Sequence, residues 1–160
     1  MKKQNLALIL GFMGIVSLNA ANVSVVVVET GLPPGNGCTP SAEVWESGMM
    51  DVFFEVGHIV FNAPCMQINN ANGVLPREVN RDFDQARIGG ADFLVLVILD
   101  YRDGSVEDPK EVCIRVFQVS TGELLHESKI AARVWGNTDE EFVGVKLQAG
   151  RIAPQLVKKG

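Results

Sequence analysis

The sequence has 160 residues, of which 47% are hydrophobic, and its formal net charge is −5. This length is enough for one domain with a hydrophobic core, and the apolar content excludes an intrinsically disordered chain. An acidic balance without a basic cluster argues against a nucleic-acid partner and against binding to anionic membrane surfaces.

The N-terminal segment has the pattern of a secretory signal peptide. Lys2 and Lys3 give it a positive start, an apolar stretch follows over Leu6–Leu18, and Ala20 supplies the small residue required at the cleavage site. Cleavage after Ala21 is an alternative, because Leu18 is larger than the usual residue two places before the cut. An uncleaved membrane anchor is a second alternative, which the short apolar stretch disfavours.

Export therefore defines the expected organisation of the chain. We predict a signal peptide over residues 1–20 and a single α/β domain over residues 21–160. The segment carries two lysines and no acid, so its removal takes the formal net charge from −5 to about −7. No later stretch is long and apolar enough to span a membrane. The predicted location is the periplasm, with association with the outer membrane left open.

The first half of the domain reads as strand, helix, strand. Asn22–Thr30 is rich in valine and predicts a strand buried on both faces. The Gly- and Pro-rich loop Gly31–Thr39 follows, and Thr39 is expected to cap a helix whose apolar face extends over Ser41–Phe54. The short strand His58–Asn62 comes next. A single helical crossover implies that the two strands are parallel neighbours.

The centre of the predicted sheet is the apolar run Phe93–Leu99. It lies between glycines and a polar turn, which is typical of a strand buried on both faces. Before it, the segment Ala63–Pro76 is expected to be irregular, and Asn80 is expected to cap a short helix. The polar connection Asp100–Lys110 leads out of the central strand.

The last part of the domain predicts a hairpin and a helix. Glu111–Val119 and Leu124–Trp135 read as antiparallel strands. Thr138 is expected to cap the final helix, with Glu141 completing a capping box, and Pro154 is expected to bend or shorten that helix near residue 150. The predicted fold class is therefore α/β, with a mixed five-stranded sheet and packed helices.

Two short motifs in this half resemble a known group of bacterial envelope proteins. Gly90-Ala91-Asp92 leads into the central strand, and Thr121-Gly122-Glu123 forms the turn between the following strands. Over roughly Val23–Trp135 the chain is similar to the CsgG, LpoB and TolB N-terminal group. The resemblance implies an anticodon-binding-domain-like fold used for protein contact and assembly in the envelope. The chain departs from the group in lacking a lipobox cysteine and the long inserts of pore-forming members.

No group of residues predicts catalysis or metal binding. His58 and His126 have no ligand spacing, and the acidic residues from Asp100 to Asp108 lack the calcium-loop pattern. Gly31–Gly37 lacks a phosphate-loop motif. We therefore expect a non-catalytic interaction or assembly module without cofactor or metal, with an envelope protein as partner and a homo-oligomer left open. The alternative is a small-ligand or phosphate-binding periplasmic domain, enzymatic or not, that uses Gly31–Thr39.

Cys38 and Cys65 are predicted to form a disulfide. Each follows the carboxyl end of one of the two parallel strands, so both should emerge at the same sheet edge, and the periplasm is oxidising. Cys113 lies within a strand and is expected to be a free buried thiol. The alternative is three free thiols, because the segment Ala63–Pro76 could carry Cys65 away.

Four apolar residues on these loops are the predicted contact surface. Leu32, Met66, Ile68 and Leu75 lie in loops that otherwise consist largely of Gly, Pro, Asn and polar residues, and loops held by a rigid sheet often carry recognition. The alternative is that these side chains fold back onto the core.

Overall fold

The computed structural model describes residues 20–33, 37–68, 77–102, 109–131 and 135–157. Within them, strands and helices alternate in the first half of the chain, and a hairpin and a helix complete the second. The predicted fold class, a mixed α/β single domain, is confirmed.

The sheet is built around two long apolar strands that lie side by side. β1 (Asn22–Thr30) pairs in parallel with β4 (Phe93–Asp100), and β2 (Ile59–Asn62) pairs in parallel with the other side of β1. β5 (Glu111–Gln118) pairs antiparallel with β4, and β6 (Leu124–Ala131) pairs antiparallel with β5. The order is β2-β1-β4-β5-β6, so Phe93–Leu99 lies at its centre as predicted.

The sheet has a hydrophobic core on each face because its central strands are apolar throughout. Alternate residues of β1 point to opposite faces: Val23, Val25 and Val27 join the first core, and Val26 and Val28 the second. All five are fully buried. Burial stabilises the fold by roughly 1.5–3 kcal/mol for each side chain of this kind.

The helices divide between the two faces of the sheet. α1 (Pro40–Glu55) and α3 (Thr138–Ile152) cover the first core, and α2 (Arg77–Ile88) covers the second. Thr39 caps α1, as predicted, because its side chain accepts a hydrogen bond from the backbone N–H of Ala42.

A glycine allows α1 and α3 to approach closely. A Cβ atom placed on Gly48 would lie only 2.7 Å from Cγ1 of Val145. Lys146 extends the same contact, because its Nζ atom lies 2.7 Å from Oδ2 of Asp51 and 3.1 Å from Oε1 of Glu55. The two helices therefore form one packed layer over the sheet, which we call the helical layer.

The predicted strand count of five is wrong, because the structure has a sixth strand, β3 (Met66–Ile68), inside the segment expected to be irregular. β2 pairs only with residues 22–25 of β1, and β3 pairs with Val28–Thr30 further along the same edge. Three residues are too few to show an alternating pattern, so the edge of β1 explains this strand better than its own sequence does.

Several predicted element ends also differ from the structure. Asn80 lies inside α2 (Arg77–Ile88) and is not its cap. β6 is described over Leu124–Ala131, and the predicted end Trp135 lies outside the strand, whereas residues 132–134 lie outside the described part of the chain. α3 ends at Ile152, close to the break expected from Pro154, and a 3₁₀ turn follows over Ala153–Gln155.

The predicted cap of α3 is displaced by one residue. Asn137 is the N-cap, and its side chain accepts a hydrogen bond of 2.9 Å from the backbone N–H of Glu140. The carboxylate of Glu140 in turn accepts one of 3.1 Å from the N–H of Gly136. Glu141, the residue expected to close the box with Thr138, turns into the interface with α1 instead, where buried donors hold it.

Candidate functional site

The carboxyl ends of β1 and β4 hold a buried carboxylate. Alternation along β1 places Glu29 on the same face as Val27, towards the first core, and the residue is fully buried. A buried carboxylate is costly unless hydrogen bonds replace its lost water. The loops around this strand end supply those bonds.

Thr39 and Gln67 hold the Glu29 carboxylate from two sides. Oε1 accepts hydrogen bonds from the Thr39 hydroxyl and, at 3.0 Å, from the Thr39 backbone N–H. Oε2 accepts one of 3.0 Å from the Gln67 amide, which also donates one of 2.8 Å to the carbonyl of Gly37. Glu29 thus ties the start of α1 to β3 and to the loop between β1 and α1.

Tyr101 completes this network directly after β4. Its hydroxyl lies 2.8 Å from Oγ1 of Thr39 and 3.5 Å from Oε1 of Glu29. Because the Thr39 hydroxyl donates to Glu29, Tyr101 is the donor to Thr39. Burial is the main cause that raises the pKa of Tyr101 to about 12. The hydrogen bond with Thr39 acts in the opposite direction, and the nearby negative charge of Glu29 adds to the rise.

A disulfide lies beside this network. The structure joins Cys38 to Cys65, with their Cα atoms 6.3 Å apart, and leaves Cys113 as a buried free thiol. Burial is the main cause that raises the pKa of the Cys113 thiol. The two sulfur atoms of the disulfide and a carboxylate oxygen of Glu29 all lie within 4.8 Å of one another. Both bonded cysteines are half-buried and pack against the first core, whereas Glu29 is fully buried.

A second buried carboxylate joins the two helices of the helical layer. Oε1 of Glu141 accepts a hydrogen bond of 2.7 Å from Ser41 Oγ and one of 3.1 Å from the indole N–H of Trp45. All three residues are buried. These bonds fix the start of α3 against the first turns of α1.

The outer side of the helical layer carries large apolar side chains. Phe54 of α1 is 72% exposed, and Val143 and Leu147 of α3 are 60% and 64% exposed. The buried residues of the same helices recur on the opposite side, towards the sheet. Beside them a shallow groove of about 500 Å³ is lined by Ser47, Met50, Asp51, Phe54, Val60 and Phe142.

The exposed and half-buried positions of these two helices are also acidic. Six carboxylates of the two helices lie exposed or half-buried, against only two cations: Glu43, Glu46, Asp51, Glu55, Asp139 and Glu140 against Lys146 and Arg151. Lys146 is already paired with two of those carboxylates. The surface therefore combines apolar side chains with an excess of negative charge.

The structure does not bring the predicted contact residues together. Leu32 is 8% exposed and belongs to the first core. Met66 and Ile68 are half-buried and pack against the second core, on the other face of the sheet. Leu75 lies outside the described residues. A role for these four residues in binding stays a prediction.

The sequence did not predict Glu29, Gln67 and Tyr101 as members of a polar network. It did not predict Glu141 as a buried carboxylate of the helical layer either. The sequence did contain one signal for Glu29. Along the strand it follows the same alternation as three core valines, so its side chain is expected to face the core. Gln67 lay in a segment expected to be irregular. The alternative interpretation of Gly31–Thr39 as a ligand loop stays a prediction, and residues 34–36 of that loop lie outside the described part of the chain.

The histidines lie apart from this cluster. Nδ1 of His58 accepts a hydrogen bond of 3.3 Å from the backbone N–H of Ala21, and burial lowers the pKa of His58. His126 lies on β6. Neither contributes a ligand atom to the Glu29, Cys38 and Cys65 group.

Within the ranges that the structure describes, no helix is both long and apolar enough to cross a membrane.

Comparisons with known proteins give structural matches only. No protein-family model matches the chain, and no curated protein matches its sequence. The chain is similar to a PelC dodecamer subunit from Paraburkholderia phytofirmans, with 16% identity and a TM-score of 0.47, covering 88% of this chain and 91% of that chain. It is similar to lipoprotein GNA1162 from Neisseria meningitidis, with 15% identity and a TM-score of 0.48, covering 85% and 96%.

A third match is the LpoB C-terminal domain from Escherichia coli, with 16% identity and a TM-score of 0.43, covering 76% of this chain and 89% of that domain. LpoB, one of the names in the resemblance drawn from the sequence, is thus among the matched structures, whereas the resemblance to CsgG stays a prediction. At these identities and TM-scores the matches carry no argument about function.

Proposed function

We propose that this protein is an exported, non-catalytic interaction module of the bacterial cell envelope, and that its contact surface is the outer side of the helical layer. The single observation that carries the proposal is the exposure of Phe54, Val143 and Leu147 on that layer. A contiguous exposed apolar patch is typical of a protein contact surface, and we expect these three side chains to form one on the helical layer.

The charge of the same surface indicates which kind of partner surface would fit it. Six carboxylates against two cations favour a partner surface that is basic and apolar, and they disfavour a second copy of this chain, which would bring like charges together. The half-buried Met50 and Phe142 in the adjacent groove offer a place for an apolar side chain of that partner.

The predicted export supports the envelope as the location. The pattern of residues 1–20 is that of a signal peptide, and the Cys38–Cys65 disulfide suits an oxidising compartment. The loops at the disulfide have a different part in this proposal: they hold the fold together, and the helices make the contact.

A triple variant with a matched control tests this surface. Phe54→Ser, Val143→Ser and Leu147→Ser together remove the exposed apolar groups of the helical layer. Ile88→Ser with Leu124→Ser makes the same change at exposed positions elsewhere, since Ile88 and Leu124 are 76% and 46% exposed. Both variants are expected to melt within a few degrees of the unmodified protein, because surface substitutions change stability by only about 0.5 kcal/mol.

Co-purification from crosslinked cells then gives the result. An envelope protein that is captured by the unmodified chain, retained by the control variant, lost with the triple variant and released by raised salt supports the proposal. Equal capture by the triple variant and the control would refute the assigned surface. A collapsed melting temperature of the triple variant would show that these side chains are part of the core.

A further inference from the structure

The cluster of Glu29, Cys38 and Cys65 combines groups that a disulfide alone does not require. Three atoms that can act as metal ligands, two sulfurs and a carboxylate oxygen, lie within 4.8 Å of one another. The carboxylate is fully buried, and both cysteines are half-buried. In the oxidised chain the two sulfurs are bonded to each other, so they are not available as thiolates.

We propose that reduction of the Cys38–Cys65 disulfide converts this cluster into a zinc site, in which the two thiolates and one carboxylate oxygen of Glu29 are the protein ligands and water takes the fourth position. Zinc prefers a tetrahedral shell of thiolate, imidazole and carboxylate groups. A mixed set of two thiolates and one carboxylate suits it better than it suits calcium or magnesium, which take oxygen ligands.

The geometry of the cluster fits such a shell. Zinc–sulfur bonds of about 2.3 Å and zinc–oxygen bonds of about 2.0–2.2 Å place neighbouring ligand atoms about 3.5–3.8 Å apart. Once the disulfide is broken, the 6.3 Å between the Cα atoms of Cys38 and Cys65 lets the sulfurs rotate apart to that spacing. The upper limit of 4.8 Å between the three ligand atoms leaves only a small adjustment for the carboxylate.

The carboxylate is already oriented for this role. Oε1 is occupied by the two hydrogen bonds from Thr39, whereas the Gln67 amide donates to Oε2. A carboxylate oxygen has two lone pairs, so Oε2 can accept from Gln67 and also bind a metal ion. Hydrogen-bonded neighbours that hold a ligand in place are typical of protein metal sites.

The reducing step is a thiol–disulfide exchange with a dithiol. The dithiol supplies two electrons and two protons and leaves as a disulfide, while Cys38 and Cys65 become thiols. Zinc binding then releases two thiol protons to solvent. Cys38 directly precedes the N-cap of α1, where the positive end of the helix dipole favours the thiolate.

Cobalt and zinc binding to the reduced protein test the proposal. The chain is reduced with a phosphine, the phosphine is removed by anaerobic desalting so that it cannot bind the metal, and the protein is titrated with Co²⁺. The expected result is one Co²⁺ per chain, with thiolate-to-cobalt absorption and the intense visible bands of a tetrahedral site, both abolished by Zn²⁺. The oxidised protein is expected to show neither signal.

Matched variants test whether Glu29 is a zinc ligand or whether the two cysteines bind the metal without it. Glu29→Gln is expected to weaken Zn²⁺ binding by at least about 10-fold, because losing a direct ligand should cost no less than losing an outer group that only orients one. Glu43→Gln changes an exposed glutamate of α1, and Cys113→Ser removes the thiol outside the cluster, so both are expected to bind as the unmodified chain does.

Three results would overturn the proposal: equal Zn²⁺ affinity of Glu29→Gln and Glu43→Gln, equal binding by oxidised and reduced protein, or more than two sulfur ligands in X-ray absorption of the zinc-loaded chain. If Glu29→Gln does not fold, the proposal is tested on the unmodified chain instead. Reduced, folded protein is expected to bind Zn²⁺ at least tenfold more tightly than the same reduced chain in urea, and equal affinities would mean that the fold builds no site.

Discussion

The residues that depart most from a plain hydrophobic core are the buried polar ones at the carboxyl ends of β1 and β4. Glu29 is fully buried and satisfied by Thr39 and Gln67, and Tyr101 reaches the same group through Thr39. Such a network rigidifies the loops that it joins, since each polar group removed from it would leave another unsatisfied. The protonation state of Tyr101 in this network can be measured directly, because the chain contains a single tyrosine.

Alkaline titration of the tyrosine absorbance is expected to show one transition near pH 12 in the folded protein, because burial raises the pKa of Tyr101 to about 12. In the unfolded chain the midpoint is expected near the ordinary value of about 10. The neutral phenol is favoured by folding, so its contribution to stability is complete below pH 10 and is lost as the pH rises from about 10 to 12. A midpoint near 10 in folded protein would contradict the buried position of this hydroxyl.

At the scale of residues, the sequence predicted where a residue lies relative to the strands better than it predicted whether its side chain is buried. The pairing of Cys38 with Cys65 followed from their places after two parallel strands, and the structure contains that disulfide. The burial of Leu32 could not be read from its loop, because a Gly- and Pro-rich segment gives no periodic pattern. The burial of Glu29 was not predicted, because a carboxylate near the end of a valine-rich run is usually interpreted as the solvent-exposed end of a strand. Its donors, Thr39 and Gln67, come from segments distant in sequence.

At the scale of elements, the packing of α1 on α3 depends on a glycine as much as on hydrophobic side chains. Gly48 lies where Val145 approaches the α1 backbone, and Glu141 and Lys146 form polar contacts on either side of this approach. A Cβ atom placed on Gly150 of α3, in contrast, would meet no neighbouring group within 4 Å. The two glycines are thus a matched pair for measuring this contact.

Gly150→Ala is expected to raise the free energy of unfolding by up to about 1 kcal/mol, because alanine favours a helix over glycine by that amount. Gly48→Ala gains the same helix preference but drives a methyl group to 2.7 Å from Val145, so we expect it to be less stable than Gly150→Ala by about 1–3 kcal/mol. Urea denaturation of both variants measures the difference. Equal stabilities would mean that the helices do not meet at Gly48.

The elements themselves were largely readable from the sequence. The buried runs of β1 and β4 and the cap at Thr39 are local signals, and all three are found in the structure. β3 was not readable, because a three-residue strand forms only where the edge of β1 offers it backbone partners. The cap of α3 was displaced because Glu141 is drawn into a tertiary contact that no local pattern announces.

At the scale of the whole molecule, export and the disulfide belong to one prediction. Protein recovered from the periplasmic fraction is expected to begin after Ala20 or Ala21, as the signal-peptide pattern implies. In the same sample, denatured without reduction, one thiol per chain should react with a labelling reagent, since Cys113 is the free cysteine. An intact Met1 would contradict cleavage, and three labelled thiols would contradict the disulfide.

The central claim is that the helical layer contacts a basic, apolar partner in the envelope, and site-specific photocrosslinking in intact cells tests it most directly. A photoreactive residue in place of Leu147, which is 64% exposed on α3, is expected to form an adduct with one envelope protein. The same residue in place of Glu123, exposed in the turn between β5 and β6, is expected to form none. No adduct at Leu147, or the same adducts from both positions, would contradict the claim.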